Sequence, residues 1–165
     1  MKKKITSEFF LLFLLFFFLI SITILQSLKQ DYTSIIDFDL TVIHNSLQLV
    51  SNEFPDFQDL TSYSHFLTYG IFYKIFSFFD DSLITNIELL SNNKNPELIL
   101  KKLYIISRIA NATIHFIALV YFYKILKLFN IDKINRILIL IFLVISETFI
   151  ANFIILRTDI VAVCF

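Results

Sequence analysis

Three long stretches of apolar residues constrain this chain more than any other feature of its sequence. They cover residues 9–25, 103–128 and 137–156, and an α-helix needs about 20 such residues to cross the hydrocarbon core of a bilayer. Hydrophobic residues make up 57% of the 165 residues and charged residues 17%. A domain this small cannot bury so many apolar side chains in its own core. The sequence therefore predicts an all-α integral membrane protein and argues against a free-standing soluble enzyme.

The distribution of charge predicts how the chain crosses the membrane. Lysines occupy positions 2–4, and four bases lie between the second and third stretches, at Lys124, Lys127, Lys133 and Arg136. Basic segments next to spans stay in the cytoplasm, which places the N-terminus and this turn inside. Residues 26–102 hold ten acidic and five basic residues and are predicted to lie outside. The formal net charge of zero gives no basic surface for nucleic acid.

Both ends of the chain carry apolar residues that need an interpretation. We interpret 9–25 as an uncleaved first span, because it is long for the apolar region of a signal peptide and no small-residue cleavage site follows it. Residues 160–165 are apolar again and stop abruptly. We therefore expect the start of a fourth span and a chain that is part of a longer protein.

Two helices are predicted within the outer loop. In the first, at about 39–51, Leu40, Ile43, Leu47 and Val50 form one apolar stripe of helical period. The second, at about 63–79, is aromatic but short for a span. We expect it to lie at the outer membrane surface, with Tyr63, Tyr69 and Tyr73 at headgroup level. The alternative is that it crosses the bilayer, which would invert every later segment.

Two carboxylates, Asp37 and Asp39, stand at the start of the first loop helix. Carboxylates at this place could bind a divalent cation such as Mg²⁺ or Mn²⁺, or act as a general base. The alternative is a structural role, because Asp caps the free N–H groups at a helix start.

The second span carries a polar stripe. Tyr104, Arg108, Asn111 and His115 are spaced by four, three and four residues, which places them on one helix face. Polar residues within a span usually face a protein interior or a water-filled cavity. Two structural alternatives are hydrogen bonding between helices and an Arg108 side chain that extends to the outer surface. We expect His115 to be a packed neutral histidine rather than a metal ligand.

The third span contains one acid, Glu147, near its middle, and ends at Arg157 and Asp159. A carboxylate at this depth is a candidate functional residue. It could instead be protonated and hydrogen-bonded, or mark a break between two short helices at Ser146. Arg157 and Asp159 are predicted to emerge at the outer face, where they could also serve as interfacial anchors.

These parts follow one another in a specific order. A lysine cluster and a span precede an outer loop with two helices, and two further spans flank a basic turn. The stretches concerned are Asp37-Phe38-Asp39, Tyr63-Ser64-His65-Phe66-Leu67-Thr68-Tyr69, Phe72-Tyr73-Lys74-Ile75-Phe76, Ser107-Arg108-Ile109-Ala110-Asn111-Ala112 and Leu156-Arg157-Thr158-Asp159. This order resembles the N-terminal part of the GT-C glycosyltransferases, polytopic membrane enzymes that use polyprenyl-phosphate-linked sugars.

The resemblance implies roles for several residues. In that family the first outer loop holds two juxtamembrane helices and the catalytic Asp, which corresponds here to Asp39 or Asp37. A second acidic motif follows the third span, so Asp159 could join the acceptor or metal site. Arg108 and Arg157 are the cations that could stabilise the leaving lipid phosphate. The usual pair is Asp-Glu, whereas here Phe38 separates two Asp residues, which leaves open which of them corresponds to the catalytic position.

The resemblance also implies a fold and a set of partners. The fold would be a GT-C-like helical bundle fragment with about three transmembrane helices, two outer-face juxtamembrane helices and the start of a fourth span. The partners would be the lipid bilayer, a polyprenyl-phosphate-linked sugar donor, and a glycan, lipid or protein acceptor. We expect a multi-pass protein of the bacterial inner membrane with a cytoplasmic N-terminus.

Two other functions fit the same sequence. In a transporter or channel, Arg108, His115 and Glu147 would line a pathway through the membrane. In a noncatalytic assembly protein, the polar residues would hold helices together. A transporter and a transferase differ in where their essential residues lie. A transporter needs the residues within its spans, whereas a transferase needs the carboxylates of the acidic loop.

Overall fold

A computed structural model describes residues 7–29, 38–56, 63–146 and 149–150. Within these ranges all regular secondary structure is helical. The helices are α1 (Ser7–Lys29), α2 (Phe38–Val50), α3 (Tyr63–Ser77), α4 (Ile87–Ser91), α5 (Pro96–Leu128) and α6 (Lys133–Ile145). Both helices predicted in the outer loop are therefore present, as α2 and α3.

Among the described residues, two helices are long and apolar enough to cross a membrane, α1 over Phe10–Lys29 and α5 over Pro96–Leu128. Most of α1 is exposed and carries large apolar side chains, as a helix surrounded by lipid would, whereas α5 is largely buried. The hydroxyls of Thr23 and Ser27 on α1 donate to carbonyls four residues back, at 2.9 and 2.8 Å. These bonds satisfy polar groups that lipid could not.

The helix predicted over 137–156 is interrupted. α6 ends at Ile145, and Ser146 has an extended backbone with φ −62° and ψ 139°. Phe149 and Ile150 are again helical, so the break that the sequence left open is present at Ser146. The rest of the predicted third span and the start of the fourth lie outside the described residues.

Two hydrophobic cores lie along α5, one on each half of the helix. We call the first the loop core; it joins α2, α3 and the segment after α3 to α5 as far as Ala110. The second, the span core, joins α1 and α6 to α5 from Ala112 onward. At the far end of the span core, the buried Arg136 side chain of α6 lies over the Tyr123 ring of α5, 5.1 Å from its centroid.

Asparagine ends two of the helices in a conformation that usually selects glycine. Asn52 after α2 and Asn130 after α5 have φ values of 63° and 56°. In each case the next residue donates its N–H to the carbonyl five residues back, as Glu53 does to Gln48 at 2.8 Å. This is the Schellman arrangement, in which Asn is an accepted substitute for Gly.

Gly70, the one glycine of the sequence, is placed where two helices approach closely. It lies on α3 against α2, and a Cβ atom added there would stand 2.8 Å from Val50 Cγ2 and 3.3 Å from the Ser46 carbonyl oxygen. Glycine usually destabilises a helix interior, so its presence here reflects the contact between α2 and α3.

We expect Gly70→Ala to lower the thermal midpoint of the protein, although alanine normally adds about 0.5–1 kcal/mol to helix stability. The new methyl group would push α2 away from α3. The double variant Gly70→Ala/Val50→Ala should recover most of the loss, because Val50 supplies the closest contact. Circular dichroism at increasing temperature in detergent measures both, with Val50→Ala as the control. A higher midpoint for Gly70→Ala alone would contradict the close approach.

Candidate functional site

A band of buried polar side chains runs along the contact between α3 and α5, where it overlaps the loop core and reaches the start of the span core. We call it the polar seam. Its members come from two helices and are at most 3% exposed: His65, Tyr69 and Tyr73 from α3, and Tyr104, Ser107, Arg108, Asn111 and His115 from α5. The polar stripe predicted on the second span is thus buried, and α3 covers part of it.

Hydrogen bonds from two tyrosines of α3 join it to α5. Tyr69 Oη donates to Asn111 Oδ1 at 3.4 Å, and Tyr73 Oη lies 2.5 Å from Ser107 Oγ. The Ser107 hydroxyl donates its own proton to the Leu103 carbonyl at 2.8 Å, so Tyr73 is the donor in the bond between α3 and α5. Both tyrosine side chains are fully buried in the protein, so they do not contact lipid headgroups, and their depth in the bilayer stays a prediction. Tyr63, in contrast, is 57% exposed.

Arg108 is buried within the seam rather than extended to the surface. Its Nη2 donates to Tyr104 Oη at 2.8 Å, and its guanidinium lies 4.9 Å from the centroid of the Tyr104 ring. The side chain is 3% exposed. The alternative in which Arg108 reaches the outer surface is therefore wrong, and the charge is held among protein groups.

Two histidines belong to the seam. Nδ1 of His115 donates to the Asn111 carbonyl at 2.8 Å, and its ring stands edge-on to Phe149, 5.4 Å between centroids. His65 is 0% exposed and packs edge-on against the Tyr69 ring at 4.5 Å. Neither nitrogen of His65 has a hydrogen-bond partner in the described part of the chain. An unsatisfied buried nitrogen typically costs about 1–3 kcal/mol, so His65 is an unusual residue for a purely structural seam.

The predicted catalytic carboxylates are placed only in part. Asp39 lies in the first turn of α2, as predicted for the first loop helix, but its side chain is not described. Asp37, Glu147, Arg157 and Asp159 lie outside the described residues. No group of three or more His, Cys, Asp or Glu side chains is close enough to hold a metal ion within the described ranges. The cation site at Asp37 and Asp39 stays a prediction.

Sequence reasoning missed the contribution of α3 to the seam. His65, Tyr69 and Tyr73 follow one another at intervals of four, so they share one helix face. That spacing was visible in the sequence, and like the spacing of four, three and four on α5 it places the side chains on one helix face. Recognising both together would have predicted a helix pair joined by polar side chains.

Comparison with known proteins adds no relative: no family model matches the chain, and neither a curated protein nor a solved structure matches it.

We expect Tyr73→Phe to destabilise the protein by about 1 kcal/mol, the usual loss for one buried hydrogen bond. Tyr69→Phe should have a smaller effect, because its bond to Asn111 is longer. Thermal unfolding of the purified protein in detergent ranks the two variants, with Tyr63→Phe, at an exposed position, as the matched control. If Tyr73→Phe unfolds at the same temperature as the control, the bond to Ser107 does not hold α3 on α5.

Proposed function

We propose that this chain is the N-terminal part of a membrane glycosyltransferase of GT-C type. It would transfer a sugar from a polyprenyl-phosphate donor to an acceptor at the outer face of a bacterial inner membrane. The proposal rests on the resemblance of the sequence, and the arrangement of α2 and α3 between two candidate spans supports it.

The supporting observation is a continuous set of contacts from a span to the predicted catalytic residue. α5 is long enough to cross a membrane, and Tyr73 and Tyr69 bond α3 to it. α2 packs against α3 at Gly70, and Asp39 stands in the first turn of α2. The height of Asp39 relative to α5 is therefore fixed by packing. A base that deprotonates an acceptor beside a membrane-anchored donor needs such fixed placement, because proton transfer requires hydrogen-bond distance.

The proposed reaction needs no nucleotide site, since lipid anchors the donor. The oxygen of an acceptor hydroxyl attacks the anomeric carbon of the sugar. The bond between that carbon and the phosphate oxygen breaks, and its electron pair leaves with the polyprenyl phosphate. The hydroxyl proton passes to the carboxylate of Asp39 or Asp37, which later returns it to water.

The cations have separate parts in this proposal. Arg108 is enclosed by the seam and bonded to Tyr104, which favours a structural part for its charge. We therefore assign stabilisation of the leaving phosphate to Arg157, with Asp159 beside it in sequence at the acceptor site. Glu147 remains the further candidate.

A transporter is the competing function. It would use Arg108 and His115 to line a pathway through the membrane. Their contacts with Tyr104 and Asn111 stay within α5, and α3 packs across the same stretch of the helix. These contacts favour a structural seam over a water-filled pathway.

We expect Asp39→Asn or Asp37→Asn to reduce sugar transfer by about 10²–10⁴-fold, the usual contribution of a general base. Asn caps a helix about as well as Asp, so folding should be unchanged. The measurement uses the full-length protein in native membranes, supplied with undecaprenyl-phosphate-linked glucose, galactose, mannose or arabinose, and quantifies released undecaprenyl phosphate. Glu53→Gln, an exposed acid at the other end of α2, is the matched control. If both variants and the double variant release undecaprenyl phosphate at the normal rate, Asp37 and Asp39 have only the structural role of a helix cap.

We expect a single cysteine at Ser91 to react with a membrane-impermeant maleimide in intact cells, and one at Asn135 to react only after the membrane is opened. The native cysteine, Cys164, is first replaced by Ser. Both target positions are exposed on the protein surface, so protein packing does not block the reagent. Labelling of Asn135→Cys in intact cells would show that α3 crosses the bilayer.

A further inference from the structure

A cavity with polar and apolar lining residues lies at the end of the loop core where α5 begins, away from the polar seam. Its volume is about 370 Å³, and three segments form its wall: the turn after α3, the connection between α4 and α5, and the first turns of α5. This size falls within the range of small-molecule sites, about 300–1,000 Å³.

The one positive charge in the cavity wall is already neutralised. Lys102 Nζ donates to Asp80 Oδ2 at 2.6 Å and to Ser82 Oγ at 2.5 Å. Bonds from Lys102 and Ser82 lower the pKa of Asp80 to about 2, so the carboxylate stays ionised at any physiological pH. Asp81 adds a second negative charge. The wall is therefore unsuited to an anion such as a phosphate group.

Uncommitted hydrogen-bonding groups line the same cavity. The Asn95 side chain makes no cap bond to α5. Asn93 Oδ1 accepts from the Asn95 N–H at 2.8 Å, so the side-chain N–H groups of Asn93 are left to bind a ligand. Asp81 has no hydrogen bond or ion pair with any described residue. Leu98 and the buried Ile99 give the wall an apolar part. Amide donors, a carboxylate acceptor and an apolar surface together suit the hydroxyl groups and C–H faces of a neutral sugar.

We propose that this cavity binds a neutral saccharide, a part of the acceptor glycan that lies away from the reacting hydroxyl. Naming the saccharide as acceptor rests on the proposed function. The Ile87 N–H donates to Ser51 Oγ at 3.3 Å, which ties α4, beside the cavity, to the end of α2 opposite Asp39. The 13 residues of α2 place its two ends about 18 Å apart, so an acceptor that reaches from Asp39 to the cavity would be an oligosaccharide.

The test measures binding without transfer. The full-length protein in nanodiscs is titrated with methyl glucoside, methyl mannoside, methyl galactoside and neutral trisaccharides of the same sugars, using saturation-transfer NMR and calorimetry. We expect at least one of these sugars to bind, with the trisaccharide tighter than its methyl glycoside. Asn93→Ala and Asn95→Ala should each weaken binding by about fivefold, the effect of one lost hydrogen bond. Asn92→Ala, an exposed asparagine outside the cavity, should bind as the wild type does.

Three outcomes would overturn the assignment: no binding by any sugar of the panel, wild-type binding by the Asn93→Ala/Asn95→Ala variant, or competition by inorganic phosphate at the same site. Circular dichroism establishes that the variants are folded, which surface positions should allow. Failure of the proposed function is separate. Saccharide binding that depends on Asn95, in a protein that releases no undecaprenyl phosphate, would overturn the transferase and leave the cavity assigned. Sugar transfer by a protein whose cavity binds no saccharide would overturn the cavity assignment and leave the proposed transferase standing.

Discussion

The bond from Tyr73 to Ser107 is the polar contact on which the arrangement of α2, α3 and α4 depends. Both groups are fully buried, and a buried polar group without a partner is costly. The bond, together with that from Tyr69 to Asn111, favours one position of α3 along α5. α2 rests on α3, and α4 contacts both α2 and α5. These polar pairs, together with the apolar loop core, position α2, α3 and α4 on α5.

Much of this fold could be predicted from local patterns. The spacing of Tyr104, Arg108, Asn111 and His115 predicted one polar face on α5, which is buried, and the predicted apolar stripe of α2 contains the buried Ile43 and Leu47. Both predictions depend only on the helical period. The break at Ser146 was only one of the predicted alternatives. The hydropathy of a segment is an average over many residues, so it does not show where the backbone of one residue changes direction.

Contacts between distant segments were beyond the same reasoning. Tyr69 and Tyr73 looked like interfacial anchors, because tyrosine is common at membrane surfaces and the pairing with Ser107 spans 34 residues. The role of Gly70 depends on where Val50 lies, which no local pattern reveals. The cavity beside Lys102 is formed by three segments that are separate in sequence, and none of them has a pattern that predicts it. The catalytic prediction has a different basis, since it came from the resemblance and from the position of Asp39 at a helix start.

The length of α5 has a mechanical consequence. Its 33 residues span about 50 Å, against about 30 Å for the hydrocarbon core of a bilayer. After Pro96 the helix contains no proline or glycine, the residues at which helices commonly kink. A tilt of about 10° about one end therefore displaces the other end by roughly 9 Å, given that length. Because a helix in a bilayer adjusts to its thickness by tilting, such a tilt of α5 would carry with it the helices that pack on α5, among them α3.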